Sequence, residues 1–122
     1  MRPLAAKTNF PWSEEPPRPE HANLDGVALG PIDVAACPAG DSAWGCRQMI
    51  GNVWEWTAST FAPFPGFSAD IYKEYSEPWF GTRKVLRGGA WATRSRMVNS
   101  AYRNFFTPDR RDILAGFRTA AP

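Results

Sequence analysis

The chain has 122 residues, 43% of them hydrophobic and 14% aromatic, a size suited to one modest core and too small for two independently folded domains. Twelve prolines and ten glycines interrupt it too often for a helical bundle or coiled coil, so short strands and loops are expected to dominate. A balance of 14 basic and 12 acidic residues, formally +2, is not that of a chain kept disordered by its own charge, and no apolar run approaches the ~20 residues of a bilayer span.

The opening Met1-Arg2-Pro3-Leu4-Ala5-Ala6-Lys7 lacks the apolar stretch of a signal peptide, which makes a cytoplasmic protein without a membrane partner the expectation. Residues 1–8 read as a tail. Phe10-Pro11-Trp12-Ser13-Glu14-Glu15-Pro16-Pro17-Arg18-Pro19-Glu20 is a proline-punctuated coil, and Asn23-Leu24-Asp25-Gly26 reads as a turn. Pro31-Ile32-Asp33-Val34-Ala35-Ala36 has the composition of a short strand, and Gly51-Asn52 that of another turn. Val53-Trp54-Glu55-Trp56-Thr57 alternates with period two, placing Trp54 and Trp56 on one face and Val53 and Glu55 on the other. From Ala62 the chain runs through Phe64, Phe67, Tyr72, Tyr75, Trp79 and Phe80 without a helical period, as a long functional loop would. Lys84-Val85-Leu86 reads as a strand leading into Arg87-Gly88-Gly89-Ala90-Trp91, residues 109–114 as a helical turn, and Ala115-Gly116-Phe117-Arg118-Thr119 as a last strand.

Two cysteines, Cys37 and Cys46, are too few to staple a secreted scaffold and lack zinc-knuckle spacing, so reduced thiols packed in the interior are expected. A single histidine, His21, excludes a three-histidine iron centre made by one copy of the chain. Basic charge gathers late: residues 83–118 hold nine basic side chains, eight of them arginine, against Asp109 and Asp112. These arginines either pair with the more acidic first two thirds or line a carboxylate-binding pocket; they are too dispersed to suggest a nucleic-acid partner.

Gly51-Asn52-Val53-Trp54-Glu55-Trp56, Leu86-Arg87-Gly88-Gly89-Ala90-Trp91 and Ala115-Gly116-Phe117-Arg118, in this order and spacing, resemble the formylglycine-generating, or sulfatase-modifying-factor, domain. Phe10-Pro11-Trp12, Ala22-Asn23-Leu24-Asp25-Gly26 and Trp44-Gly45 extend the likeness, so that residues 9–122 match the C-terminal part of that domain. The fold this implies is α+β, an irregular variant of the C-type lectin fold with short strands and long loops. Gly66-Phe67, Tyr75-Ser76-Glu77-Pro78-Trp79-Phe80-Gly81 and the stretch from Tyr102 through Asp112 are similar to one branch, the iron(II)-dependent sulfoxide synthases of ergothioneine biosynthesis, especially those using free cysteine. In that branch a helical N-terminal domain supplies three histidine ligands to iron, and oxygen is used to join a cysteine thiol to trimethylhistidine (hercynine). The resemblance therefore implies one half of a split enzyme, or a truncated gene remnant, with no iron ligands of its own and an N-terminal iron-binding helical domain or chain as partner. Formylglycine-generating enzymes proper carry two active-site cysteines near the equivalent of residues 99–104, and the absence of any cysteine there argues against sulfatase activation. Related variable proteins use the same fold purely for binding, so a non-catalytic binding module is the alternative.

By the same resemblance, Asn104, Phe105 and Phe106 fall where the trimethylhistidine pocket is lined. An aromatic face attracts a quaternary ammonium, an amide orients an imidazole, and Arg110 and Arg111 suit substrate carboxylates. Core packing of the two phenylalanines and pairing of the arginines with Asp109 or Asp112 are the plain alternatives. Gln48, Gly51, Val53 and Glu55 match positions that hold calcium in the formylglycine-generating domain, and oxygen donors are what a hard cation requires. Pairing of Glu55 with an arginine would serve equally well. Trp54, Trp56, Gly88, Gly89 and Trp91 are expected to be structural, with the indoles of Trp56 and Trp91 inside the core.

Overall fold

A computed structural model of the chain describes residues 8–63, 65 and 81–119. The aromatic loop expected from Ala62, the Gly66-Phe67 pair and most of the stretch from Tyr75 to Gly81 lie outside these residues, as does nearly all of the tail. Strands β1 (Trp54–Thr60), β2 (Lys84–Arg87), β3 (Asn104–Phe106) and β4 (Ala115–Gly116) form one sheet in the order β3-β2-β1-β4. The β1–β2 and β2–β3 pairs are antiparallel and β1–β4 is parallel, so the sheet is mixed. Short 3-10 turns at Pro38–Gly40 and Ser95–Met97 complete an α+β unit with little regular structure.

β1 follows from its alternation. Trp56 faces Leu86 across the ladder and Glu55 faces Arg87, so the tryptophans share a face with Leu86 and, one strand on, with Asn104. The ladder breaks between Trp56 and Thr60, where the Thr57 hydroxyl donates to the Val85 carbonyl at 2.8 Å.

The buried interior reaches well beyond the sheet. Leu86 is wholly buried and Val85 nearly so, but Ala22, Leu24, Ile50 and Val98 form a second apolar cluster contributed by loops, roofed by Phe10 and Trp12. Trp12 stacks between Phe10 and His21, with ring centroids 5.5 and 4.6 Å away, and the buried His21 accepts the Arg18 backbone N–H on Nδ1. The proline-rich opening is thus a lid over the loop core, which explains why a segment unable to join a sheet carries two large aromatics.

Polar ties hold these loops together. Asn52, at φ +71°, donates its backbone N–H to Asn23 O (2.9 Å) and accepts from the Trp91 N–H (2.8 Å). Its side-chain amide exchanges two hydrogen bonds with the backbone of Ile32, at 2.7 and 3.0 Å, and accepts a third from the Asn23 amide. That exchange explains why residues 31–36 are not the expected strand: the main chain of Ile32 is already bonded, and Asp33 then closes a turn by accepting from Ala35 and Ala36. Residues 109–114 likewise form no helical turn. Arg110 N–H closes a turn onto Thr107 O around Pro108, and the chain bends through residues 112–114 into β4, which ends at Gly116 rather than Thr119.

Trp54, Trp56 and Trp91 are half-buried rather than engulfed, since loops cover the sheet only in part. Both thiols are free; Cys37 is buried as expected, but Cys46 is exposed, on a surface loop folded around the Ser42 hydroxyl, which accepts the N–H groups of Trp44 and Cys46. Gly88 sits at φ +100° with Met49 O only 2.6 Å from where a Cβ would be, so the glycine pair permits a close backbone approach. Gly88→Ala should therefore destabilise the chain by about 3 kcal/mol or more, and Asn52→Leu by a similar amount through loss of its side-chain bonds and its left-handed backbone. Chemical denaturation checks both, and a midpoint unchanged in either variant would show that the corresponding tie is dispensable.

Candidate functional site

Two groups of residues singled out in the sequence lie at opposite margins of the sheet. The first surrounds the turn that precedes β1. Gln48 (φ +48°) and Gly51 (φ +83°) bend the chain so that Gln48, Gly51, Val53 and Glu55 line one hollow of about 610 Å³ together with Val34, Phe117 and Arg118. Gln48 is 3% exposed, and neither its amide oxygen nor its amide nitrogen has a hydrogen-bond partner among the described residues. A buried amide without a full hydrogen bond is costly, and among the described residues the one polar group that acts on this side chain is the neighbouring Cys37 thiol. The fourfold set of oxygens, one carboxylate, one side-chain amide and two backbone carbonyls, has the chemistry of a hard-cation site.

An arginine occupies part of that arrangement. Arg118 donates Nε–H to Glu55 Oε1 and closes the remaining fork on the carbonyls of Arg47 (2.7 Å) and Gln48 (2.9 Å). The Glu55–arginine pairing left open by the sequence is therefore present, with Glu55 Oε2 making no hydrogen bond among the described residues. Arg118 was visible only as the end of the Gly-Phe-Arg block; the signal that could have found it was the need of Glu55, between two tryptophans, for a cationic partner. Nearby, burial pushes the Cys37 thiol above its ordinary pKa, with the Gln48 side chain opposing the shift.

The second group is the edge strand β3 and the turn after it. Neighbouring side chains of a strand point to opposite faces, so Phe105 is separated from Asn104 and Phe106. Phe105 stacks on Phe61 with centroids 4.2 Å apart, and Arg103 covers Phe61 from 4.7 Å while donating to Ala62 O. Phe106 instead lies under Arg110, whose guanidinium carbon is 4.9 Å from the ring centroid. Asn104 Oδ1 accepts the Phe105 N–H at 2.8 Å, while its Nδ2 makes no hydrogen bond among the described residues. Arg110 is engaged: its fork closes on both oxygens of Asp112, at 2.5 and 2.8 Å. Arg111 is exposed and has no partner among the described residues. The structure thus brings Asn104, Phe106 and Arg110 to one side, leaves Arg111 open to an anion, and gives Phe105 to packing.

Among the described residues no three His, Cys, Asp or Glu side chains converge where a metal could sit, and no helix is long and apolar enough to cross a membrane. The lone His21, stacked on Trp12, faces Glu15 from 3.9 Å.

With this geometry in view, comparison with known proteins places the chain. Residues 5–122 match the sulfatase-modifying factor enzyme 1-like domain, and the chain belongs to that family. It is 47% identical over 116 residues to the hercynine oxygenase of Mycobacterium tuberculosis, a match covering 94% of this chain and 27% of that protein. The hercynine oxygenase of Mycolicibacterium thermoresistibile is 46% identical over 119 residues, again 27% of its length. A protein of Mus musculus named inactive C-alpha-formylglycine-generating enzyme 2 is 30% identical over 122 residues. The chain therefore spans about a quarter of the length of the hercynine oxygenases it matches.

The Arg110–Asp112 fork can be tested directly. Arg110 holds the Asp112 carboxyl below its ordinary pKa, chiefly by hydrogen bonding. A depressed carboxylate favours the folded turn above the ordinary carboxylate range and loses that contribution as pH falls through the lowered value. In Arg110→Ala the Asp112 titration followed by NMR should move upward, toward the ordinary range; an unmoved titration would mean that the fork is not populated in solution.

Proposed function

We propose that this chain forms the pocket-bearing C-terminal part of an iron-dependent sulfoxide synthase, joining a cysteine thiol to trimethylhistidine with oxygen in ergothioneine biosynthesis. The observation that carries the reading is the 46–47% identity to hercynine oxygenases over more than nine tenths of the chain. A relative of Neurospora crassa named ergothioneine biosynthesis protein 1, 34% identical over 84 residues, supports the same direction. In this reading the lectin-like architecture of the family applies, the reaction is cytoplasmic, and neither nucleic acid nor membrane takes part.

Iron does not fit the described residues, because among them no set of nitrogen, sulfur and carboxylate ligands converges. It would belong to an N-terminal helical domain or chain, against which the β3 margin would form the other wall of the pocket. Within that wall the ring of Phe106, which already attracts the Arg110 guanidinium, suits a trimethylammonium group, and the unpartnered Nδ2 of Asn104 is a donor suited to an imidazole nitrogen. Since Asp112 already holds Arg110, the first claim on a substrate carboxylate falls to Arg111, and Arg110 would bind one only by exchanging Asp112 for it. The set Gln48, Gly51, Val53 and Glu55 offers the oxygen chemistry of a hard cation such as calcium, with the Glu55 carboxylate as its charged member, in a structural role beside the Arg118 clamp.

The alternative of a non-catalytic binding module draws on the mouse relative, whose name marks it inactive. Mixing the chain with an iron-loaded N-terminal fragment of a cysteine-using sulfoxide synthase separates the two. Oxygen-dependent coupling of cysteine to trimethylhistidine is expected, with Arg111→Ala lowering efficiency by about ten- to a hundred-fold. A stable complex without product at any ratio would favour the binding module, and an unfolded chain that forms no complex would favour a gene remnant.

Calcium should raise the melting temperature of the chain in a concentration-dependent way, and Glu55→Gln should abolish the rise. An equal rise in both forms would remove Glu55 from the site.

A further inference from the structure

We propose that the surface around Asp25 and residues 94–96 is a second ligand site, taking the carboxylate head of a small organic anion whose apolar body lies in an adjoining groove. Arg94 and Arg96 line one hollow of about 240 Å³ with Ser95 and Asp25. Neither guanidinium has an ion-pair or hydrogen-bond partner among the described residues, in contrast to Arg18, Arg47, Arg110 and Arg118, which all engage a carboxylate. Two arginines two residues apart on a flexible loop would simply extend into water. Here the loop is fixed: Asp25 N–H donates to Thr93 O (2.9 Å), Gly26 N–H to Trp91 O (2.7 Å), and Ser95 N–H to Asp25 Oδ1 (2.9 Å). The left-handed pair Asp25 (φ +58°) and Gly26 (φ +69°) makes this docking possible.

The charge arithmetic selects the ligand. Two guanidiniums face one carboxylate, and one oxygen of that carboxylate already accepts from the Ser95 N–H. The hollow keeps one net positive charge, enough for a singly charged head and short of what a phosphate dianion would balance. Asp25 and Ser95 also line a groove of about 200 Å³ whose other walls include Ala22, Leu24, Val27 and Ile32. Charged rim and apolar trough are therefore continuous, and Val27, 72% exposed, offers apolar surface for an occupant to cover. None of these residues belongs to either group described above, so the proposal stands apart from the reading of the β3 margin.

Sodium hexanoate and sodium acetate are suitable probes, titrated into the full 122-residue chain by isothermal calorimetry or ligand-observed NMR. Hexanoate should bind with a Kd in the millimolar range and acetate at least about tenfold more weakly, because only hexanoate reaches the groove. The double variant R94Q/R96Q should weaken hexanoate about tenfold or more while keeping the melting temperature, and R47Q should bind it unchanged. Absence of hexanoate binding at about 20 mM, equal affinity for the two probes, or an equal loss in R47Q would each overturn the proposal.

Discussion

The structure depends on one asparagine. Asn52 occupies a left-handed conformation that turns the chain into β1, and from that position its main chain and side chain together engage Asn23, Ile32 and Trp91. Three loops distant in sequence are thereby fixed to the start of the one long strand. A small four-stranded sheet, one of whose strands has only two residues, buries too little apolar surface to order this much irregular chain by itself. The loops supply a core of their own in Ala22, Leu24, Ile50 and Val98, and the Asn52 network sets the geometry in which that core can close.

Close backbone approach is the second consequence. Once loops pack on loops, carbonyls meet main chain where a sheet would put side chains. A Cβ at Gly40 would lie 1.8 Å from His21 O, and one at Gly51 would lie 2.5 Å from Asn23 O. Glycine at these places is demanded by space, and at Gly51 by a φ of +83° as well. The high glycine and proline content and the scarcity of regular structure thus have one origin: the chain is organised by specific ties between loops.

Which parts of this were legible in the sequence follows from the range of the interactions. β1 and β2 were readable because alternation and β-branched or aromatic residues are local signals, and the glycine pair announced a close approach without naming its partner. β3 was not, since three residues carry no period. Residues 31–36 have strand composition, yet a side chain twenty residues away takes the Ile32 backbone, and no local pattern reports that. Cys46 has the composition of a buried residue and a position on a hydroxyl-closed surface loop. For the candidate site, the need of Glu55 for a partner was visible but Arg118, 63 positions on, was not; the pairing of Arg110 with Asp112 was local and therefore foreseeable. Alternation separated Phe105 from Phe106 as soon as β3 was known to be a strand, which divides a run of three candidates between the two faces of the sheet.

Electrostatics and backbone geometry meet at the turn before β1. Arg118 closes the last strand onto the Arg47 and Gln48 carbonyls and onto Glu55, so the end of the chain and the approach to β1 are joined by a single guanidinium. Planar, fivefold donation makes arginine suited to this task, whereas the three donors of a lysine radiate from a single nitrogen and lack the planar fork that spans a carboxylate and two carbonyls. The same guanidinium fixes the backbone carbonyl of Gln48, whose side-chain amide is buried beside the Cys37 thiol. The positive charge of Arg118 also weighs against any cation in that hollow, leaving Glu55 Oε2 and the neutral oxygens to set its affinity. Occupancy would consequently depend on how firmly the Asn52 ties hold the turn, which links the ordering of the loops to the chemistry of the hollow they enclose.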